Sequence, residues 1–107
     1  MAVSEYDWRL FRARLPVWQE TYMEKLEQEY IALLAGPGSA ADKLRELDKR
    51  RREDSERAGT VMRMSRSNME LNILHLLSND VIKLADLDGF SEDLREKMAF
   101  LLRESDG

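Results

Sequence analysis

The chain has 107 residues, of which 43% are hydrophobic and 36% charged, a composition typical of one small globular domain. The absence of Cys excludes disulfide bridges, thiolate metal sites and a cysteine nucleophile. No stretch approaches the roughly 18 apolar residues of a membrane span. The first residues lack the basic and apolar regions of an export signal. We therefore expect a single cytoplasmic domain over residues 1–107, without membrane contact.

The formal net charge is −4, but charge is segregated along the chain. Residues 1–42 carry four basic and seven acidic side chains, residues 43–66 carry nine and five, and residues 67–107 carry four and nine. The middle of the chain is thus basic between two acidic flanks. An acidic protein attracts nucleic acid or anionic lipid only where such local segregation provides a basic surface.

A long first helix is predicted to begin at Ser4–Asp7, which has the form of a capping box. Apolar residues then recur at steps of three or four from about residue 6 to residue 34. They are Phe11, Leu15, Trp18, Tyr22, Leu26, Tyr30 and Leu33. Pro16 lies inside this stripe and removes one backbone hydrogen bond, so either a kink or a break into two helices is expected there. Gly36-Pro37 ends the segment.

Three further helical segments follow. Ser39 caps a helix that runs to about Ala58, and the segment from about Thr60 to Ser78 is apolar on nearly every side, which is typical of the central helix of a small bundle. Val81–Leu87 is predicted as a short helical turn or irregular loop. Ser91 caps the last helix, whose buried side is Leu94, Met98, Leu101 and Leu102. These elements predict an all-α, compact four- to five-helix antiparallel bundle with a frayed tail at about 104–107.

Clustered cations on the second helix are candidates for phosphate contact. We call this cluster the basic island; it consists of Lys49, Arg50, Arg51 and Arg52. On a helix, basic and acidic side chains of residues 43–57 alternate all round the axis, so no purely basic face forms. The spacing predicts i, i+4 ion pairs instead. These pairs are Glu46–Arg50, Asp48–Arg52, Lys49–Glu53, Arg50–Asp54, Arg52–Glu56 and Glu53–Arg57. We therefore expect no tight binding to nucleic acid.

His75 is the single histidine and shares a helix side with Asn68 and Asn72, a group able to orient a ligand or carry a proton. The sequence places no nucleophile or carboxylate beside it. The glutamates at 20, 24 and 27 lack the Glu-x-x-His partners of a di-iron bundle. The loop around Gly89 lacks calcium ligands at its ends. We therefore expect no enzyme activity, no metal and no cofactor.

The chain has more apolar side chains than a single bundle can bury. The second helix offers only Leu44 and Leu47 to its own core, whereas the central helix carries apolar groups on both sides. A second copy of the chain is the simplest provider of the missing cover. The residues expected at that contact, which we call the interface patch, are Val61, Met64, Asn68, Leu71, Asn72 and His75.

The sequence therefore favours a non-enzymatic interaction or assembly module that self-associates as a homo-oligomer, most simply a two-fold dimer. A further protein partner is compatible with the same surfaces. The alternative is a regulator that contacts nucleic acid or an acidic partner through the charged helix at residues 43–57. Measuring the mass of the protein in solution separates these two hypotheses best.

Two runs, YDWRLFRARLPVWQE at residues 6–20 and LDGFS at residues 87–91, resemble a group of short, uncharacterised helical bacterial proteins. The resemblance covers most of the chain. It implies a bacterial origin and an all-helical fold, and it carries no activity, ligand or catalytic residue.

Overall fold

The computed structural model describes residues 4–60 and 62–106. This part of the chain forms four α-helices and one short 3₁₀ helix at Leu84–Leu87, without a β-strand. The α-helices are α1 (Glu5–Ala35), α2 (Ala40–Ser55), α3 (Met69–Ser78) and α4 (Glu92–Asp106). The predicted all-α fold of four to five helices is confirmed. Val61 of the interface patch and the end of the predicted frayed tail lie outside the described residues.

The first helix is a single element of 31 residues that continues through Pro16. The predicted alternative of a break into two helices is therefore wrong. Pro16 is exposed, so water can reach the carbonyl that loses its hydrogen bond. The predicted stripe is confirmed, because α1 buries Phe11, Leu15, Tyr22 and Leu26.

The central segment forms a shorter helix than its composition predicts. It is expected from about Thr60, but α3 begins only at Met69. Polar residues of low helix propensity precede it, and the hydroxyls of Ser65 and Ser67 hydrogen-bond to each other (3.1 Å). The side-chain amide of Asn72 donates to the carbonyl of Arg63 (2.9 Å), and this bond holds an irregular segment against α3. Met62 and Met64 therefore do not lie on the central helix.

The second helix ends at Ser55, before the predicted end at Ala58. The hydroxyl of Thr60 donates to the carbonyl of Asp54 (2.6 Å) and so occupies an acceptor at the last turn. Gly59 is buried directly against Tyr22, where a Cβ atom would lie 2.2 Å from the Tyr22 ring. Only glycine fits this contact, and it fixes the chain after α2 against α1.

The apolar core occupies one end of the molecule. Phe11 and Leu15 of α1 pack there with residues from the C-terminal half of the chain. Those residues are Met69, Ile73, Leu76, Leu77, Ile82, Leu87, Phe90, Leu94 and Met98. The second half of α1 extends beyond this core and packs with α2, so residues 20–55 form what we call the hairpin arm.

This arm makes the molecule elongated, with extents of 53 × 30 × 21 Å and a radius of gyration of 16.5 Å. A compact chain of this length has a radius of gyration of about 13 Å. The accessible surface is 7241 Å², against about 6,200 Å² for a folded monomer of this mass. The arm therefore exposes surface that a compact bundle of the same length would bury.

A buried carboxylate joins the start of α1 to the start of α4. The Asp7 carboxylate accepts hydrogen bonds from the backbone N–H (2.9 Å) and the hydroxyl (2.6 Å) of Ser91. The Ser91 oxygen in turn accepts from the N–H of Leu94 and caps α4 (3.3 Å). The Ser4 half of the predicted capping box is confirmed, since Ser4 Oγ accepts from the Asp7 N–H (3.1 Å). The Asp7 side chain itself stabilises tertiary structure.

Replacing Asp7 with Ala is expected to reduce the free energy of unfolding by about 2–3 kcal/mol, because a buried N–H and a hydroxyl lose their charged acceptor. Chemical denaturation measures this loss. S39A is the comparison, since Ser39 Oγ caps only its own exposed helix (3.1 Å to Asp42 N), and its removal costs about 1 kcal/mol. A D7A effect no larger than that of S39A contradicts the proposed role of Asp7.

Candidate functional site

The described members of the interface patch are divided between a helix and an irregular segment. Leu71 lies on the outward side of α3 and is 52% exposed. His75, one turn later, and Asn68 are also exposed, so the helix brings these three to solvent. Met64 is exposed but precedes the helix, and Asn72 holds the Arg63 backbone. The predicted interaction role of this patch stays a prediction.

A polar cleft of about 340 Å³ lies beside His75. Its lining includes Arg57 and Arg63 from the segment after α2, together with Asn72 and Asn79. Both amides donate to backbone carbonyls, Asn72 to Arg63 and Asn79 to His75 (2.7 Å). Among the described lining residues there is no Ser, Thr or Cys that could serve as a nucleophile beside the imidazole. Glu56 also lines the cleft, so the expectation that no carboxylate lies beside His75 is wrong. The cleft can accept polar groups.

Cations of the basic island are mostly paired with carboxylates. Arg51 and Arg52 both contact Asp48, at 3.5 and 2.5 Å. Arg50 approaches Asp54 at 4.0 Å. The predicted pairs Asp48–Arg52 and Arg50–Asp54 are thereby confirmed. Within the described residues, the other four predicted pairs do not form, and Arg57 pairs with Asp54 (3.7 Å) instead of Glu53. Lys49 is exposed on the same helix and makes no ion pair within residues 4–60 and 62–106.

Arg50 also joins α2 to α1, which the sequence pattern does not predict. Its guanidinium donates to Glu29 (2.7 Å) and lies 5.5 Å from the centre of the Tyr30 ring. The Tyr30 hydroxyl donates to Asp54 Oδ2 (2.5 Å), and Asp54 is only 7% exposed. We call Glu29, Tyr30, Arg50 and Asp54 the polar clasp. It holds the two helices of the arm together where apolar side chains are few.

Proton affinities in the polar clasp follow from these contacts. Burial, followed by the hydrogen bond to Asp54, raises the pKa of Tyr30 to about 12. The hydrogen bond with Glu29 is the largest cause of a raised pKa of Arg50. Tyr30 therefore remains a neutral donor and Arg50 remains a cation at physiological pH.

An apolar groove of about 460 Å³ runs along the arm beside the polar clasp. Its apolar lining comes from one side of α1: Met23, Leu26, Tyr30, Ile31 and Leu34. Arg51 and Ser55 of α2 line the opposite side. Leu44 precedes Arg51 by seven residues, so it lies on the same side of α2, nearer the α1–α2 loop.

Apolar exposure is concentrated on this face. The exposed fractions are 40% for Met23, 51% for Ile31, 41% for Leu34 and 59% for Leu44. The groove is not predicted from the sequence, although Met23, Ile31 and Leu34 form a second stripe at helical spacing beside the first one. A contiguous row of exposed apolar side chains is uncommon on the surface of a monomeric protein.

Comparison of the chain with protein-family models, curated proteins and solved structures finds no match. Within the part of the chain that the structure describes, no helix has the length and apolar character needed to cross a membrane. The same residues bring no three His, Asp or Glu side chains together as a possible metal site.

The Y30F variant is expected to lose about 1.5–3 kcal/mol of stability at neutral pH, because its hydrogen bond to a charged acceptor is removed. The raised pKa favours neutral Tyr30 in the folded state. The contribution of the Tyr30 hydrogen bond to the free energy of unfolding is therefore complete below pH 10 and is lost as the pH rises from about 10 to about 12. Denaturation at several pH values should show that the free energy of unfolding of Y30F falls less between about pH 10 and about pH 12 than that of the wild type.

Tyr22 provides the matched control for this measurement, because it is buried on the same helix and its hydroxyl has no hydrogen bond to the described residues. Y22F keeps the polar clasp and should retain the alkaline loss. Equal pH profiles for Y30F and the wild type would show that the Tyr30–Asp54 bond does not stabilise the arm.

Titration of labelled duplex or single-stranded DNA and RNA at about 50 mM salt should show binding no tighter than the non-specific range of roughly 10⁻⁴ to 10⁻⁶ M. The reason is that Arg50, Arg51 and Arg52 already contact carboxylates. Sub-micromolar affinity with a steep salt dependence would support the alternative regulator instead.

Proposed function

We propose that the chain is a non-enzymatic assembly module that self-associates through the apolar groove of the hairpin arm. The observation that carries this proposal is the row of Met23, Ile31, Leu34 and Leu44, each at least 40% exposed on one face of the arm. Contiguous exposed apolar surface on a small protein is typical of an interaction site.

The two helices that line the groove are held in place by contacts within the single chain. The polar clasp fixes α2 beside α1, and Gly59 against Tyr22 fixes the chain after α2. A surface whose backbone is already ordered loses less conformational entropy on binding. The arm can therefore present the groove as a rigid face.

The area of this face is sufficient for a weak dimer. The 16 residues of α2 correspond to a length of about 24 Å, and two adjacent helices are about 20 Å wide. Each copy then offers about 480 Å² in projection, and two copies bury about 1,000 Å², the lower bound for a specific interface. A two-fold contact uses the same groove on each copy, so one patch satisfies both.

The alternative regulator, acting through residues 43–57, has weaker support. Arg50 is turned toward α1, and Arg51 and Arg52 share Asp48. A nucleic-acid phosphate would have to compete with these carboxylates for the same guanidinium groups.

Sedimentation or light scattering tests self-association directly. At about 100 μM, the wild-type chain of 12.5 kDa should be a dimer of twice that mass. I31D/L34D should be a folded monomer, because dimerisation would bury unpaired carboxylates. Circular dichroism confirms that the variant folds, which is expected because neither residue belongs to the core.

L71D is the matched control, since Leu71 is equally exposed but lies on α3, outside the arm. It should leave the dimer intact. A wild-type monomer at this concentration would refute self-association. A dimer that L71D dissociates and I31D/L34D does not would identify the interface patch, and not the groove, as the contact.

A further inference from the structure

The groove is bordered by acidic side chains along α1. Glu20, Glu24 and Glu27 follow one another at steps of four and three and align with Ile31, so they lie on the side of the groove away from α2. All three are exposed and make no ion pair within the described part of the chain. We call these three residues the acidic rim. Lys25 lies at least 100° away from them around the helix.

The other border of the groove is basic. Arg51 lines it, and Arg45 and Arg52 lie further out on the same side of α2. Arg45 pairs with Asp42, and Arg51 and Arg52 both pair with Asp48. All three arginines are exposed. We call Arg45, Arg51 and Arg52 the basic rim. The face that carries the groove therefore has three glutamates along one edge that are unpaired within the described residues, and a net charge of +1 along the other, from three arginines and the two aspartates that pair with them.

Two two-fold axes bring the grooves of two copies face to face with the helices of both arms aligned. An axis perpendicular to the arm places α1 on α1 of the other copy, with acidic rim against acidic rim. An axis parallel to the arm places α1 of each copy on α2 of the other, with each acidic rim on a basic rim. Like charges across an interface cost affinity, whereas opposite charges favour association and orient the partners.

We infer that two copies of the chain pair about a two-fold axis parallel to the hairpin arm, with the acidic rim of each copy on the basic rim of the other. This inference rests on the proposed self-association and adds its geometry and its response to salt. The two arms then form a four-helix bundle with both α1–α2 loops at the same end. The apolar core of each copy is then at the other end of its own arm.

Neutralising the acidic rim separates the two arrangements, because they predict opposite changes. In the parallel arrangement, E20Q/E24Q/E27Q removes the attraction between each acidic rim and the basic rim of the other copy. Six glutamates are neutralised in the dimer, which should weaken about tenfold. In the perpendicular arrangement the same variant relieves repulsion and strengthens the dimer. Sedimentation equilibrium at about 50 mM NaCl measures the dissociation constant.

E92Q/E96Q/E104Q is the matched control. It changes the net charge by the same amount, but these three exposed glutamates lie on α4, away from the arm. Its dissociation constant should equal that of the wild type. Raising NaCl to about 500 mM reduces the screening length to about 4 Å. This should weaken the wild-type dimer and remove the difference between it and the rim variant.

Complementary charge reversals give a second readout. E20R/E24R/E27R places cations against the basic rim, and R45E/R51E/R52E places anions against the acidic rim, so each variant alone should be a folded monomer at low salt. Mixed in equal amounts, the two should form a heterodimer, since both edges are again complementary. Either arrangement allows this heterodimer, so the mixture tests whether the rims lie in the contact, and the neutralised acidic rim decides between the two axes. A mixture that stays monomeric would place the rims outside the contact and overturn the parallel pairing.

The outcomes distinguish this inference from the proposal on which it rests. A wild-type monomer refutes both. A wild-type dimer that I31D/L34D dissociates, but that E20Q/E24Q/E27Q strengthens or leaves unchanged, overturns the parallel pairing and leaves the assembly function in place.

Discussion

The length of α1 is the constraint on which the rest of the structure depends. Its 31 residues extend about 46 Å, which is much longer than the core that Phe11 and Leu15 enter. The C-terminal half of the chain can cover only the first half of this helix. The second half must be covered by α2, which is highly charged and offers few apolar side chains. Arm closure therefore depends on polar contacts between Tyr30, Asp54, Arg50 and Glu29.

Local sequence signals predict elements whose ends are set by caps. Ser4 and Ser39 cap α1 and α2, and Ser91 caps α4, as the sequence analysis expects. The start of α3 is not predicted, because the apolar pattern of residues 60–68 is compatible with a helix. In the structure, the side chains of Thr60 and Asn72 instead donate to the backbone carbonyls of Asp54 and Arg63. Hydrogen bonds from side chains to backbone carbonyls therefore begin α3 later than the apolar spacing predicts.

The candidate site is less predictable than the fold, because it depends on where two helices meet. The spacing of Met23, Ile31 and Leu34 shows a second stripe, but only the position of α2 shows that this stripe remains uncovered. Similarly, i, i+4 spacing predicts Arg50–Asp54, whereas Arg50–Glu29 joins two helices across 21 positions. One-dimensional periodicity contains no information about that contact.

Different parts of α1 contribute to the core and to the groove. Phe11 and Leu15 enter the core, whereas Ile31 and Leu34 lie four to six turns further along and touch none of its buried residues. Stability of the core is therefore largely independent of the groove surface, since distant sites without shared partners contribute additively. A substitution in the groove can change association without unfolding the chain. The rigid α1 nevertheless connects the two, so the core fixes the direction in which the arm presents its apolar face.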